Sequence, residues 1–147
     1  MGRNQTSRRD LLQLGVAAGA ASILGGCKML GARKPDVVAQ AQDNKVTLSR
    51  EESAKLLASE GSLLVEPKGL GDKIIVVHAK DGSLHAVSAT CTHLGCNVVY
   101  DEKLGQLRCP CHGSDFGLDG QNVKGPAKRP LKPYNVRDDN AVVVITL

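Results

Sequence analysis

Four of the five cysteines and two of the four histidines fall in two six-residue boxes, "CTHLGC" at Cys91–Cys96 and "CPCHGS" at Cys109–Ser114. Thiolate sulfur and imidazole nitrogen are side-chain donors that suit zinc and iron–sulfur centres. Each box carries one such couple: Cys91 and His93 are two apart, Cys109 and His112 three apart, and fifteen residues separate His93 from Cys109. Two tight loops brought together would offer two sulfurs and two nitrogens, with Cys96 and Cys111 left for another purpose. Three chemistries compete for that arrangement. A Cys2His2 set suits tetrahedral zinc, which would make the chain a zinc-binding module. A Cys–His pair suits nucleophilic catalysis but leaves the duplication without a use. A [2Fe–2S] cluster, one iron held by two cysteines and the other by two histidines, accounts for the duplication best.

The elements that must position these boxes are short strands. "KIIVVHAKDGSLHAVSA" has two β-branched runs around Asp81-Gly82, the pattern of a hairpin that leads into the first box. "NVVYDEKLGQLRC" places two more strands around Lys103 to Gly105 and leads into the second. Upstream, "VTL" and Ser62 to Glu66 are strand candidates. Between them "SREESAKLLASEG" predicts a short helix with Ser49 as its N-cap and Gly61 past its end. "YNVRDDNAVVVITL" predicts a terminal hairpin turning at Asp138 to Asn140. With sixteen glycines, no Trp, one Phe and two Tyr, the core must be built from Val, Ile, Leu and Ala between frequent turns. Short strands and many turns indicate an all-β sandwich or barrel.

The two boxes and the hairpin before them resemble those of Rieske iron–sulfur proteins, over roughly residues 45–147. The resemblance implies an all-β, Rieske-type antiparallel β-sandwich with a small cluster-binding subdomain and one short helix. It implies one [2Fe–2S] cluster, with Cys91 and Cys109 on one iron and His93 and His112 on the other. It also implies a Cys96–Cys111 disulfide tying the two loops. Around the cluster it places Leu94 of the first box, Gly113 and Ser114 of the second, Phe116, and a covering loop at Gly125–Pro126 ("GPA"). Ser114 is expected to offer its hydroxyl to the cluster. Phe116 stands where high-potential relatives usually carry a Tyr that bonds a ligand sulfur, so a lower potential is expected within the Rieske range of roughly −150 to +300 mV. His78 and His85, on the hairpin strands, are expected to be surface or packing residues.

Residues 1–27 read as an address rather than a fold. The paired Arg8 and Arg9, then an apolar run from Leu11 to Gly26, resemble a twin-arginine export signal, and the run is shorter than the ~20 residues a membrane span needs. "LGGC" at Leu24 to Cys27 resembles a lipobox, which makes Cys27 the expected lipidation site. Residues 28–44, with Pro35 and no clean period, are expected to form a flexible tether, and 45–147 the folded domain. The expected location is the periplasmic side of the cytoplasmic membrane, an oxidising compartment where disulfides persist.

The expected function is electron transfer as the iron–sulfur subunit of a quinol:cytochrome c oxidoreductase-like complex, with a cytochrome b/c-type or other redox partner and a quinol donor. The alternative is the small subunit of an exported oxidoreductase of the arsenite-oxidase type. The chain is expected to serve a catalyst rather than to be one, and no second His/carboxylate iron site follows the boxes, which excludes a Rieske oxygenase. A formal charge of only +4 with so few aromatics argues against a nucleic-acid partner.

Overall fold

The computed structural model describes residues 33–58 and 61–147. The expected export signal, Cys27 and the first part of the expected tether lie outside the described residues. Seven strands close into a barrel, and four short ones form a second sheet. The barrel contains β1 (Val37–Gln42), β2 (Lys45–Ser49), β3 (Ser62–Lys68), β4 (Ile74–His78), β5 (Leu84–Ser88), β10 (Pro133–Asp138) and β11 (Val142–Thr146), ordered β1-β2-β11-β10-β5-β4-β3. The small sheet is β6 (Val99–Asp101), β7 (Gln106–Arg108), β8 (Asp115–Phe116) and β9 (Asn122–Lys124). The all-β architecture with one short helix is the expected one. Its main sheet closes on itself instead of stacking as an open sandwich, because β1 lies parallel to β3 with Val37 opposite Val65.

That strand corrects the domain boundary. Val37–Gln42 is part of the barrel, not of a tether. Its alternation places Ala39 inward, and Asp36 secures its start: the Asp36 carboxylate accepts the Leu64 N–H at 2.8 Å and the Asp36 N–H donates to the Leu64 carbonyl. The helix is shorter than expected, α1 (Ala54–Leu57), and starts later. The N-cap position of the helix is Ser53, not Ser49 as expected; Ser49 instead closes the preceding turn. Its hydroxyl accepts from the Glu52 N–H at 3.2 Å, and the Glu52 carboxylate accepts from the Ser49 N–H at 2.8 Å, a reciprocal capping pair. Leu56 then plugs the barrel.

The runs "SLLVE" and "IIVVH" are apolar on both faces for a physical reason. Leu63, Val65, Ile74 and Val76 fill the barrel, while Leu64, Ile75 and Val77 point outward into a second core shared with Val98, Leu107, Phe116 and Leu131. The small sheet is thus docked on the outside of β3–β4–β5. The hairpin turn at Asp81-Gly82 closes as expected, with Gly82 at φ 83°, a conformation that favours a residue without a side chain.

Candidate metal centre

The two boxes occupy equivalent loops. The first is framed by the antiparallel bridge Thr90–Asn97 at the end of β5, the second by the β7–β8 pair Arg108–Asp115. In each loop the N–H of the opening cysteine donates to the carbonyl of the sixth residue: Cys91 to Cys96, and Cys109 to Ser114, both at 2.8 Å. In each the glycine at the fifth position donates back to the opening cysteine's carbonyl, Gly95 at 2.9 Å and Gly113 at 3.0 Å. Both glycines have positive φ, 78° and 73°. Any side chain would strain that turn, which is why Gly stands at the fifth position of both boxes.

This shared backbone brings the donors together. Cys91 and Cys109 are buried and unpaired. The rings of His93 and His112 lie 4.8 Å apart and nearly perpendicular, with His112 exposed and His93 half-buried. Cys96 and Cys111 are joined in a disulfide that staples the loops. The Cys109 sulfur lies within 4.8 Å of both disulfide sulfurs, but those are consumed by their bond, so the three do not make a thiolate site.

Burial pushes the Cys91 thiol up, the His93 N–H and the Ser114 hydroxyl pull it down, and the Cys109 thiol beside it pushes it further up. His93 Nδ1 is buried with no hydrogen-bond partner. A buried imidazole nitrogen without a partner costs roughly 1–3 kcal/mol unless something takes its lone pair. Two buried thiols and such a nitrogen, stapled in place, form a donor set that a metal centre would satisfy.

The chain matches the model of the Rieske [2Fe-2S] domain over residues 49–135, more than half its length. The chain belongs to that family. A Rieske domain binds a [2Fe–2S] cluster, and the sulfur–nitrogen donor set fits it. Among curated proteins, it is 47% identical over 76 residues to the cytochrome b6-f complex iron-sulfur subunit of Chlorobaculum tepidum, a match covering 52% of this chain and 41% of that one. It is 53% identical over 55 residues to the putative Rieske 2Fe-2S iron-sulfur protein YhfW of Bacillus subtilis, covering 37% of this chain and 11% of that protein. The chain therefore spans less than half the length of these relatives. Among solved structures, the cyanobacterial plasma membrane Rieske protein PetC3 from Synechocystis PCC 6803 superposes with a TM-score of 0.56 and 30% identity, over 69% of this chain and 99% of that one.

The surroundings of the Rieske loops are built from distant sequence. Ser114 is fully buried, and its hydroxyl oxygen accepts the Ala127 N–H at 3.0 Å, which fastens the Gly125–Pro126 loop to the second box. Phe116 is fully buried in the core that also holds Cys91 and Cys109. Leu94 is 67% exposed, so it does not pack the loop. His78 and His85 lie toward the opposite end of the hairpin, with His85 against the Ser83 hydroxyl at 2.8 Å. Sequence reasoning passed over Asp72, whose carboxylate accepts the Thr90 hydroxyl at 2.7 Å and the Tyr134 hydroxyl at 3.3 Å, just before the first box. Burial and the Asp72 charge push the Tyr134 phenol up to about 12. It also missed the Thr92 hydroxyl, which donates to the Arg129 carbonyl at 2.7 Å. None of these contacts has a local signal, since they join segments 18 to 62 residues apart.

Proposed function

We propose that this chain is an exported, membrane-tethered Rieske electron-transfer protein, the iron–sulfur subunit of a quinol:cytochrome c oxidoreductase-like complex. Cys91 and Cys109 bind one iron and His93 and His112 the other. The cluster, when bound, carries one electron at a time. The single observation that carries this reading is the paired loop geometry, with two buried free thiols on the same two loops as two imidazoles in contact, one exposed and one half-buried. The b6-f names of the relatives in Chlorobaculum tepidum and Bigelowiella natans support the choice of complex.

The residues divide the work by burial. His93 Nδ1 is the buried nitrogen, which leaves Nε2 to hold or release a proton. His112, exposed beside it, can do the same. Imidazoles at the surface therefore suit a donor that surrenders a proton with its electron, as a quinol does. Leu94, 67% exposed on the same loop, supplies an apolar contact for such a donor. The disulfide keeps the loops together in an oxidising compartment. No helix among the described residues is long and apolar enough to cross a membrane. The tether in this reading is lipid on Cys27, following export by the twin-arginine signal.

The purified protein is expected to be red-brown, with two irons and two labile sulfides, and to be reduced by a synthetic quinol such as duroquinol. A colourless protein with one zinc would overturn the reading. A cluster that only a protein donor reduces would move the assignment to the small subunit of an exported oxidoreductase. Intact-mass measurement of membrane fractions tests the anchor: a mature chain beginning at lipidated Cys27 is expected, and one retaining residues 1–26 refutes it.

A further inference from the structure

The charge of this chain is not spread evenly. Residues 33–147 hold 15 Lys and Arg against 14 Asp and Glu. Four of those cations, Lys124, Lys128, Arg129 and Lys132, lie within the stretch 121–134, which has no acidic residue. The remaining 11 cations face all 14 acids, so the rest of the domain is net −3. All four residues are exposed. Among the described residues none of the four forms an ion pair, whereas Arg33, Arg50, Lys55, Lys73, Arg108 and Arg137 all do. Solvated cations gathered on one segment leave their field unneutralised.

That segment lies against the cluster-bearing loops. Arg129 and Lys132 line an open cleft of about 750 Å³ together with His93, Leu94 and one acid, Asp72, whose carboxylate accepts the Thr90 and Tyr134 hydroxyls. The backbone beneath them is fixed at four points. Ala127 donates to Ser114, Thr92 donates to the Arg129 carbonyl, Leu131 donates to the Gly120 carbonyl, and Ser88 donates to the Lys132 carbonyl. Lys132 is held further by its ammonium 4.5 Å from the centroid of the Tyr134 ring. A rim ordered in this way presents its charge in one place, and its cost of ordering falls mostly on folding instead of on binding.

We infer that this cationic rim is the docking surface for a redox protein with an acidic face, which exchanges electrons at the His93 and His112 edge. The inference rests on the electron-transfer reading above and adds the chemistry of the partner. A cation-rich segment beside the exchange site, on a domain that is otherwise net −3, orients an acidic partner during diffusion, so the productive edge meets it first.

The test uses the reduced, cluster-loaded protein and two forms of one acceptor: basic cytochrome c, and the same cytochrome with its lysines succinylated to carboxylates. Stopped-flow oxidation at low ionic strength is expected to be at least ~10-fold faster with the succinylated form, within the range that electrostatic steering spans. The gap is expected to close to about 2-fold or less at 0.5 M salt, where the screening length is only a few ångströms. The triple variant Lys128→Glu, Arg129→Glu, Lys132→Glu is expected to invert the preference while its midpoint potential and circular dichroism stay near wild type. Lys80→Glu, in the turn at the far end of the β4–β5 hairpin, is expected to change neither rate. A binding titration with the succinylated cytochrome at low salt provides a second readout, with affinity lost in the triple variant. Equal rates with both acceptors, or a preference untouched by the triple variant, would overturn the inference and leave the electron-transfer reading standing. Anionic phosphatidylglycerol vesicles are the remaining arm: vesicle binding abolished by the triple variant, with both cytochromes reacting alike, assigns the rim to a membrane surface and also overturns it. If neither cytochrome nor ferricyanide oxidises the protein, both readings fail together.

Discussion

Removing one hydroxyl should have two separable effects, because Ser114 serves two neighbours. Its oxygen accepts the Ala127 N–H at 3.0 Å, and its proton is the donor that lowers the Cys91 thiol. Ser114 is fully buried and Ala127 is 3% exposed, so water cannot replace either bond. In Ser114→Ala the Ala127 N–H is left buried without a partner, at a cost of about 1–3 kcal/mol. The other loss falls on the sulfur. A hydrogen bond to a charged acceptor is worth about 1.5 kcal/mol or more, and it favours the reduced cluster, which carries one more negative charge. For a one-electron couple that corresponds to a fall of about 60 mV if the whole bond is felt only on reduction. Protein-film voltammetry reads the potential, and the denaturant midpoint of the loaded protein reads the stability. A variant with an intact cluster and a wild-type potential would refute the role at the sulfur. A wild-type denaturant midpoint would refute the role at Ala127. Because the two measurements answer for different bonds, failure of one leaves the other intact.

Phe116→Tyr adds a hydroxyl to a fully buried ring packed in the core of Cys91 and Cys109. A gain of one hydrogen bond to a ligand sulfur would raise the potential by about 60 mV; an unchanged potential with an intact cluster would mean that Phe116 only packs. Cys96→Ser or Cys111→Ser, which removes the staple but no free thiol, is expected to give a cluster that assembles poorly and whose visible absorption bleaches faster than wild type, and equal bleaching rates would count against the staple. At Asp36, burial pushes the carboxyl up, but the Leu64 N–H, Arg33 and Lys55 outweigh it and the net shift is downward from 3.8. A depressed folded value means stability that is fully present above about pH 4 and is lost as pH falls through the folded value. Asp36→Asn is therefore expected to cost about 1 kcal/mol at pH 7 and to flatten the acid limb of the stability curve, measured by urea unfolding from pH 7 downward; an unchanged limb would exclude Asp36 as its source.

The parts of this protein that were legible in the sequence are those decided by near neighbours. Asp81-Gly82 makes its turn with four residues, and the β-branched runs on either side need only each other to pair. The boxes were legible for the same reason: cysteine, histidine and glycine at fixed offsets bend a six-residue loop by bonds inside it, Cys91 to Cys96 and Cys109 to Ser114. Tertiary structure decided what depended on distant partners. "VVAQAQ" has only two β-branched residues, adjacent to one another and followed by small or polar ones, so it does not stand out from a linker; β3 supplies its parallel partner and Leu64 bonds Asp36 at its start. The helix expected from its cap and flanks shrank to four residues: the capping pair at Ser49 and Glu52 closes a turn before it, and within it Leu56 is buried while Leu57 packs at the edge of the core. The double-sided burial of "IIVV" reflects a second sheet contributed by residues 99–124, which no local pattern could announce. The cationic rim shows the same limit. Nothing local marks Lys128, Arg129 and Lys132 in the sequence; the bonds from Ser114, Thr92 and Ser88, up to 44 residues away along the chain, fix this segment, and Arg129 and Lys132 share a cleft with His93.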